Sequence, residues 1–495
     1  MGEPENEVGP AAVSAAVGRA KDAQAGWADK PPSARVRALR KAKRALLAAS
    51  EEIARTIAEE VGKPEIEALL AEVSPTADLF DFWCDSIEDA LEPDEVALDP
   101  LSFPGKSART ERVPRGVVAL ITPWNFPVAI PLRTLVPALL AGNVVVWKPS
   151  EVTPRSSALV HRLLAPFLPE GTLELVQGDG AVGDALVRAD VDLVVFTGSV
   201  TTGKKIGALC GERLIPCSLE LGGKDAAVVL ADADLDRAAR GLAWGAFNNA
   251  GQSCASIERV YVERSVSAEL TRKLLEVVAA MALPRDMGRL ATDAQAAIVA
   301  RHVEQAVTDG NTLLCGGSVT GDDPRRYPPT VIEITVEQTP LMEEETFGPV
   351  LPIVVVADAD DAIARANASS YGLTTSLWTR RSRGEMLARK ISSGVVTINN
   401  HGFSAAIPGA PWSGVRASGS GITNSLHALE ALTRPKLVLT DGNRSRQELW
   451  WYPYTPALRE VGMSLAMMRG GGGPFARLKA VFTLARALLS RLWGR

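Results

Sequence analysis

Histidine and cysteine are scarce in this sequence, which holds only four and five of them among 495 residues. The cysteines are scattered and odd in number: Cys84, Cys210, Cys217, Cys254 and Cys315. They form no disulfide framework, so they indicate free thiols in a reducing compartment. Neither residue type recurs at the spacing of metal ligands, and no metal site is predicted.

Long apolar runs are also lacking, since no segment approaches the roughly 20 residues that cross a bilayer. The first residues, "MGEPENEVGP", are polar and acidic, unlike a secretory signal. The formal net charge of −5 gives no general attraction to nucleic acid. We therefore expect a cytoplasmic protein that has no nucleic-acid partner.

The composition is that of a soluble globular protein, with 46% hydrophobic and 22% charged residues. A chain of this length predicts two or three domains. Residues 11–92 have helical periodicity, and apolar strand-like segments then alternate with helical ones, which predicts an α/β fold with parallel sheets. The strand-like segments are "GVVALI", "NVVVWKP", "LELVQG" and "VDLVVFTGS", then, after residue 220, "DAAVVL", "RVYVE", "VLPIVVV", "TSLWT" and "GVVTIN".

The last segment differs from the rest, because no acidic residue follows Glu460 while basic residues continue to the end. Residues 475–493 predict a basic amphipathic helix. Its apolar face comprises Phe475, Leu478, Phe482, Ala485, Leu489 and Leu492. Two interpretations stay open: peripheral contact with an anionic membrane, or packing on the protein's own surface or on a partner subunit.

Cys254 follows a run of small residues in "FNNAGQSCASIERV" and precedes a strand-like segment. A cysteine acts as a nucleophile when a neighbour lowers its pKa or removes its proton. No histidine lies near it in sequence. On its own, the segment favours an inert buried thiol over a nucleophile.

Polar residues follow several strand-like segments. In "FTGSVTTGKK", Gly198 and Ser199 would let a phosphate approach a helix N-terminus. In "WKPSEVTP", Lys148 and Glu151 could contact a ribose, and Glu151 would repel a 2′-phosphate. The alternative at Gly198 and Ser199 is a strand–turn–helix that binds no ligand, and the alternative at Lys148 and Glu151 is a solvated turn.

Two further residues have catalytic potential. Glu220, between apolar residues in "SLELGGK", would have a pKa raised towards that of a general base. Asn125, held rigidly in "ITPWNFP", could donate to a developing oxyanion. The alternatives are a strand-edge carboxylate and a structural turn.

The ordered series PWNFP, KPSE, FTGS, ELGGK, GQSC, EETFGPV and PWSG resembles the aldehyde dehydrogenase superfamily from about residue 10 to 440. The resemblance implies a Rossmann-like cofactor domain (1–96 and 116–219) and an α/β catalytic domain (220–417). It also implies a small β oligomerisation element (97–115 and 418–441) that makes a homodimer or homotetramer. Residues 442–495 would be a C-terminal extension.

The resemblance further implies an NAD(P)-dependent, non-acylating oxidoreductase of class EC 1.2.1.-. Cys254 would form a thiohemiacetal and then a thioester, Asn125 would bind the oxyanion, and Glu220 would activate the hydrolytic water. NAD is favoured because of Glu151, with NADP as the alternative. The implied cofactor residues are Ile121, Thr122, Pro123, Trp124, Lys148, Ser150, Glu151, Gly178, Phe196, Gly198, Ser199, Thr202, Leu221, Gly222, Glu345 and Phe347.

The implied substrate residues are Arg133, Trp124, Asn248, Ser253 and Trp412. An arginine at position 133 binds a substrate carboxylate in relatives that act on succinate semialdehyde, but the second arginine of those relatives is Asn248 here. Alternatives therefore stay open: a semialdehyde dehydrogenase, a membrane-associated fatty aldehyde dehydrogenase, a CoA-acylating enzyme, which Glu220 disfavours, or a non-catalytic binding protein. Arg133 could equally form a structural salt bridge.

Overall fold

The computed structural model describes residues 9–100, 102–319, 321–443, 448, 450–470 and 473–493. Its contacts divide the chain into two compact units. The larger unit holds residues up to 93 and 111–436, and the smaller one holds residues 94–110 and those from 437 onward.

The described strands are β1 (Asp94–Val96), β2 (Lys106–Pro114), β3 (Val117–Ile121), β4 (Val144–Lys148), β5 (Leu173–Leu175), β6 (Leu193–Thr197), β7 (Cys217–Glu220), β8 (Asp225–Val229), β9 (Ile257–Glu263), β10 (Thr312–Cys315), β11 (Thr330–Ile334), β12 (Val350–Val356), β13 (Thr374–Trp378), β14 (Val395–Ile398), β15 (Trp412–Ser413), β16 (Ile422–Thr423) and β17 (Thr433–Asp441).

The described α-helices are α1 (Pro10–Ala28), α2 (Pro32–Ala48), α3 (Ser50–Val61), α4 (Glu65–Ala68), α5 (Ser74–Ala90), α6 (Ala129–Leu140), α7 (Pro154–Leu164), α8 (Gly180–Arg188), α9 (Val200–Arg213), α10 (Leu235–Phe247), α11 (Arg264–Ala279), α12 (Asp293–Thr308), α13 (Pro340–Glu343), α14 (Ala359–Asn367), α15 (Arg381–Leu387), α16 (Ala428–Leu432), α17 (Pro456–Arg469) and α18 (Pro474–Trp493). A π-helical turn, Leu69–Val73, links α4 to α5.

The first sheet of the larger unit has the order β5-β4-β3-β6-β7, and all its neighbours are parallel. Strands β3, β4 and β6 are buried along their whole length, as apolar runs covered on both faces must be. Because the strands are parallel, their last residues, Ile121, Lys148, Thr197 and Glu220, reach the same edge of the sheet. Open α/β sheets bind ligands at that edge.

The second sheet has the order β10-β11-β12-β9-β8-β13-β14. Only the edge strand β10 is antiparallel to its neighbour. Strand β8 begins shortly after the Gly222–Gly223 pair that follows β7. Strand β9 begins three residues after Cys254. The two sheets therefore bring Glu220 and Cys254 into neighbouring loops.

The α/β class predicted from the sequence is confirmed, and the nine apolar segments form β3–β6, β8, β9 and β12–β14. Strands β7, β10 and β11 were not predicted as strands. Each has only four or five residues, and β11 includes Glu333, which interrupts its apolar pattern.

The smaller unit contains a sheet of order β1-β2-β17, in which β17 is an edge strand. Its side chains Leu437 and Leu439 are 63% and 54% exposed. The edge therefore presents both unpaired backbone and apolar side chains.

Helices α17 and α18 also belong to this unit. The predicted helix at 475–493 is confirmed as α18, whereas α17 was not predicted. Phe475, Leu478 and Phe482 are 89%, 56% and 68% exposed, and both interpretations of this apolar stripe stay predictions. The more tightly packed face carries Ala480 instead. The side chains of Leu489 and Leu492 lie outside the described residues, and none of the described helices is both long and apolar enough to cross a membrane.

Candidate active site

Cys254 lies in the loop between α10 and β9. The preceding residues Asn249, Ala250 and Gly251 all have left-handed backbone angles, with φ of 52°, 53° and 71°. A Cβ on Gly251 would come within 2.1 Å of the Gly348 carbonyl oxygen, so only glycine fits there. Each non-glycine residue in this region costs about 1 kcal/mol or more, and the surrounding packing must hold the turn.

Buried hydrogen bonds fix this turn on both sides. Gln252 donates from Nε2 to the Asn249 carbonyl (2.9 Å) and accepts at Oε1 from the Ala291 N–H (2.8 Å). Nε2 of His401 lies 2.6 Å from the Ala255 carbonyl oxygen. Burial lowers the pKa of His401 to about 4, so the ring is neutral at pH 7 and donates through Nε2–H. These contacts restrict the position of the thiol between them.

Asn125 follows β3 and is buried. Its Nδ2 donates to the Gln252 carbonyl (3.1 Å). Its own carbonyl accepts from Nζ of Lys63 (2.7 Å) and Nδ2 of Asn249 (3.0 Å). Because an amide carries two N–H hydrogens, one remains for another acceptor.

Lys63 and Glu72 form a fully buried ion pair at 2.8 Å behind Asn125. Glu72 Oε2 also accepts from the backbone N–H groups of Val128 (2.9 Å) and Ala129 (3.3 Å). These groups are at the N-terminus of α6, where a carboxylate also complements the helix dipole. The pair therefore connects the Asn125 backbone to the start of α6.

Glu220 ends β7 and is buried, with an exposed fraction of 7%. Its Oε2 accepts from Oγ1 of Thr197 (3.4 Å), and its carbonyl accepts from the Gly198 N–H (3.1 Å). Burial raises the pKa of Glu220, and the positive charge of Arg133 opposes that rise. A raised pKa brings the carboxylate closer to the range of a general base.

Two cavities meet at Cys254. The smaller one, of about 300 Å³, lies among the loops after β3, β6 and β7 and includes Asn125. The larger one, of about 520 Å³, includes Glu220 and Arg133. Among the described residues, only Cys254 and Ile130 line both cavities. A nucleophile at this position can reach ligands on either side.

The thiol is protonated in this environment. Burial raises the pKa of Cys254 well above its usual value, and the neighbouring carboxyl groups of Glu220, Asp225 and Glu345 add to the rise. Arg133 opposes it. Burial raises the pKa values of Asp225 and Glu345 themselves to about 8. A positive charge brought to this site would favour the thiolate.

Half of the predicted cofactor residues line the smaller cavity: Pro123, Trp124, Gly198, Ser199, Leu221, Gly222, Glu345 and Phe347. Ser199 caps α9 and accepts from the Thr202 N–H (3.3 Å). Outside the lining, Ile121, Thr122 and Phe196 lie at or beside the ends of β3 and β6, and Ser150 and Gly178 lie in the loops after β4 and β5. Lys148 Nζ lies 3.3 Å from Glu151.

The loop carrying Glu345 and Phe347 is held over the smaller cavity. Glu345 accepts from the Gly223 N–H (2.9 Å). Phe347 has a φ of 53° and meets Trp124 edge-on, with ring centroids 5.6 Å apart. The buried Glu258 accepts from the Phe347 N–H (2.9 Å), which supports this unusual backbone.

The larger cavity holds four of the predicted substrate residues: Arg133, Asn248, Ser253 and Trp412. The fifth, Trp124, lines the smaller cavity. The described residues offer Arg133 no hydrogen-bond or salt-bridge partner; its charge acts on Glu220 and Cys254 through space. The structural salt bridge considered for it is therefore not formed within the described chain.

Sequence reasoning missed several residues at this site: Lys63, Glu72, Gln252, Gln295, Ile298 and His401. Gln295 and Ile298 on α12 line the smaller cavity. No local sequence pattern marks Gln295 and Ile298 as site residues, because both reach the cavity through the packing of a helix that is distant in sequence. As for metals, no group of three His, Cys, Asp or Glu side chains within the described residues could hold one.

Comparison with known proteins identifies the family. The model of the aldehyde dehydrogenase family matches residues 6–438. The chain belongs to the aldehyde dehydrogenase family, which confirms the expected fold and the expected oxidoreductase class.

Among its relatives, the 4,4'-diapolycopene aldehyde oxidase of a Methylomonas species is 36% identical over 90% of this chain and 85% of that protein. A Mycolicibacterium smegmatis protein, provisionally named succinate-semialdehyde dehydrogenase (NADP(+)), is 35% identical over 91% and 90%. The NAD+ complex of a Bacillus cereus aldehyde dehydrogenase matches with a TM-score of 0.84 at 30% identity, covering 87% and 89% of the two chains.

Proposed function

We propose that this protein oxidises an aldehyde to a carboxylic acid with NAD as the electron acceptor. One observation carries the proposal: Cys254 is the polar residue shared by the 300 Å³ cavity, which is lined by the nucleotide-type motifs, and the 520 Å³ cavity. A thiol there can attack a carbonyl from one cavity while hydride leaves towards the other.

The Cys254 thiol first releases its proton to solvent, which the positive charge of a bound nicotinamide would favour. The Sγ thiolate then attacks the aldehyde carbon, which forms a C–S bond and converts the carbonyl oxygen into an alkoxide. The free Nδ2–H of Asn125 and the backbone N–H of Cys254 donate to that oxygen. A nicotinamide held by the residues of the smaller cavity would supply the hydride acceptor when the thiohemiacetal collapses. Cys254 then carries a thioester.

Glu220 takes a proton from water, whose oxygen attacks the thioester carbon, and Cys254 leaves as the thiolate. The raised pKa of Glu220 suits this exchange near neutral pH. A base at this position favours hydrolysis over transfer to coenzyme A, so the product is the free acid.

The smaller cavity and the strand ends beside it would together hold a dinucleotide. Ser199 begins helix α9, whose N-terminal N–H groups suit a pyrophosphate, and Gly222 leaves no side chain between the backbone and Glu345. Lys148 and Glu151 would bind the adenosine ribose. Since the Glu151 carboxylate repels a 2′-phosphate, NAD is favoured over NADP; Glu151→Ser should raise kcat/KM for NADP about tenfold.

The test is NADH formation with a panel of aldehydes. Cys254→Ser should abolish turnover but keep NAD binding, measured by quenching of protein fluorescence, whereas Cys315→Ser should keep both. Failure of the wild-type protein to form NADH with any aldehyde would favour a binding protein on this fold.

A second candidate is a semialdehyde dehydrogenase, because Arg133 offers an unpaired guanidinium in the larger cavity. If Arg133 binds a substrate carboxylate, Arg133→Met should raise KM for succinate semialdehyde at least tenfold but leave KM for butanal unchanged. Equal efficiency of the wild type with both aldehydes would contradict this candidate.

We also propose a homodimer or homotetramer in the cytoplasm. The edge strand β17, with Leu437 and Leu439 exposed, can extend the sheet of a partner subunit. Leu437→Lys together with Leu439→Lys should give monomers in sedimentation velocity, and an unchanged assembly would contradict the role of this edge.

A peripheral membrane contact is the other use of the smaller unit. On α18 the exposed Phe475, Leu478 and Phe482 lie three and four residues apart, with the cations of Lys479 and Arg486 beside them. Deletion of residues 470–495 should abolish co-sedimentation with anionic vesicles, whereas neutral vesicles should bind neither form. Equal partitioning of both forms would exclude this contact.

A further inference from the structure

A third cavity, of about 360 Å³, adjoins the larger cavity at Cys254. The two share the lining residues Glu67, Leu70, Trp244 and Asn248. We call this third cavity the distal groove. Because four residues border both spaces, the distal groove lies directly beside the larger cavity.

The walls of the distal groove are mainly apolar. Ile66, Leu70 and Trp244 are 58%, 66% and 45% exposed, and Phe247 and Met281 also line it. Exposed apolar side chains that converge on one groove mark a binding surface more often than single ones do.

The charged residues of the groove are mostly paired. Arg285 and Asp286 contact each other at 2.7 Å. Glu67 accepts from the Asn249 N–H at 2.6 Å, so one carboxylate oxygen is used inside the turn. Arg240 also lines the groove. Apart from Arg240, the groove therefore offers a ligand mainly apolar surface.

The same helix forms the groove and leads to the nucleophile. Helix α10 supplies Trp244 and Phe247 and ends where the turn before Cys254 begins. The Trp244 ring lies against Gly402, where a Cβ would come within 2.6 Å of it. The groove wall and the position of the thiol are thus part of one local structure.

We propose that the distal groove binds the hydrocarbon chain of a long, apolar aldehyde whose carbonyl group is at Cys254. This inference rests on the proposed aldehyde oxidation and names its substrate class. A cavity of about 520 Å³ already lies within the range of roughly 300–1,000 Å³ that holds drug-sized ligands. The distal groove adds space for a long hydrocarbon chain, and a four-carbon semialdehyde would be too short to enter it.

The test measures kcat/KM of the full-length enzyme with NAD for propanal, octanal, dodecanal and hexadecanal. Each methylene that becomes buried should raise kcat/KM about fourfold until the groove is full. A profile that is flat beyond octanal would overturn the inference. Lack of turnover with every aldehyde, propanal included, would instead overturn the proposed function.

Two variants locate the effect. Ile66→Ser, which lines only the distal groove, should lower the ratio of kcat/KM for dodecanal over propanal about tenfold. Met386→Ser is the matched control, since this side chain is 62% exposed on α15 and lines neither cavity; it should leave both values unchanged. An unchanged ratio in Ile66→Ser overturns the inference. If the oligomeric state changes while the ratio does not, the distal groove is a contact between subunits.

Discussion

Nζ of Lys63 lies 2.8 Å from Oε1 of Glu72, and neither side chain is accessible to solvent. Lys63 also donates to the carbonyl of Asn125, the residue proposed to bind the oxyanion. Lys63→Met would leave the Glu72 carboxylate buried without its counterion. We expect a loss of about 3–5 kcal/mol in the free energy of unfolding, together with a lower kcat, because the Asn125 backbone loses a donor.

Urea unfolding and steady-state kinetics check this prediction. Lys43→Met is the matched control, since Lys43 pairs with Asp81 at 2.6 Å on the surface. It should cost less than about 1 kcal/mol and leave kcat unchanged. Similar losses in the two variants would contradict a special role for the buried pair.

Glu220→Gln removes the proposed base but keeps a side chain of nearly the same shape. Turnover should fall about 10²- to 10⁴-fold, whereas the first equivalent of NADH should still form rapidly, because hydride leaves before water attacks. Rapid-mixing absorbance detects such a burst. Glu174→Gln, at a surface pair with Arg19, should behave like wild type. Loss of the burst would place the action of Glu220 before hydride transfer.

Arg133 should control the pH dependence of turnover. Burial raises the pKa of Glu220 and Arg133 opposes that rise, so Arg133→Met should raise it further. Since the base works when deprotonated, the acidic limb of the kcat–pH profile should then move to higher pH. Arg133→Lys keeps the charge and should restore the limb towards its original position. If the acidic limb of the Arg133→Met profile stays in place or moves to lower pH, the charge of Arg133 does not lower the pKa of the catalytic base.

His401 should link stability to pH. The pKa of His401 is about 4 in the folded chain, against an ordinary histidine pKa of 6.5. Between these values the unfolded chain binds a proton that the folded chain does not, so stability is complete above pH 6.5 and is lost as pH falls towards 4. His401→Gln keeps a donor for the Ala255 carbonyl but does not titrate.

Urea unfolding at several pH values measures this linkage. The stability of His401→Gln should depend less steeply on pH in this window, by up to about 1.4 kcal/mol per pH unit. Identical slopes in the two proteins would show that the ring does not exclude the proton.

The sequence predicts the residues proposed for the chemistry better than the residues that hold them in position. Asn125 and Glu220 follow strands of one parallel sheet, and the carboxyl ends of such strands meet at one edge. Strand β7 was not predicted from the sequence, so the order of the motifs, and not local patterns, grouped these residues with Cys254.

The supporting residues could not be predicted in this way. Lys63 meets Asn125 from α3's end, 62 positions earlier, and His401 meets Ala255 across 146 positions. Such contacts depend on how helices and loops pack, which no local pattern specifies. The distal groove arises similarly, from side chains of α4, α10 and α11 and the turns beside them.

The sharing of Cys254 by two otherwise separate cavities has a kinetic consequence. Among the described residues their linings have only Cys254 and Ile130 in common. In the proposed reaction, a spent dinucleotide would therefore be able to depart and be replaced while the acyl group is still attached to sulfur. An inhibitor that fills the aldehyde side would leave the nucleotide side open. Raising the NAD concentration would then fail to displace it, and such a compound would stay effective in a cell rich in NAD.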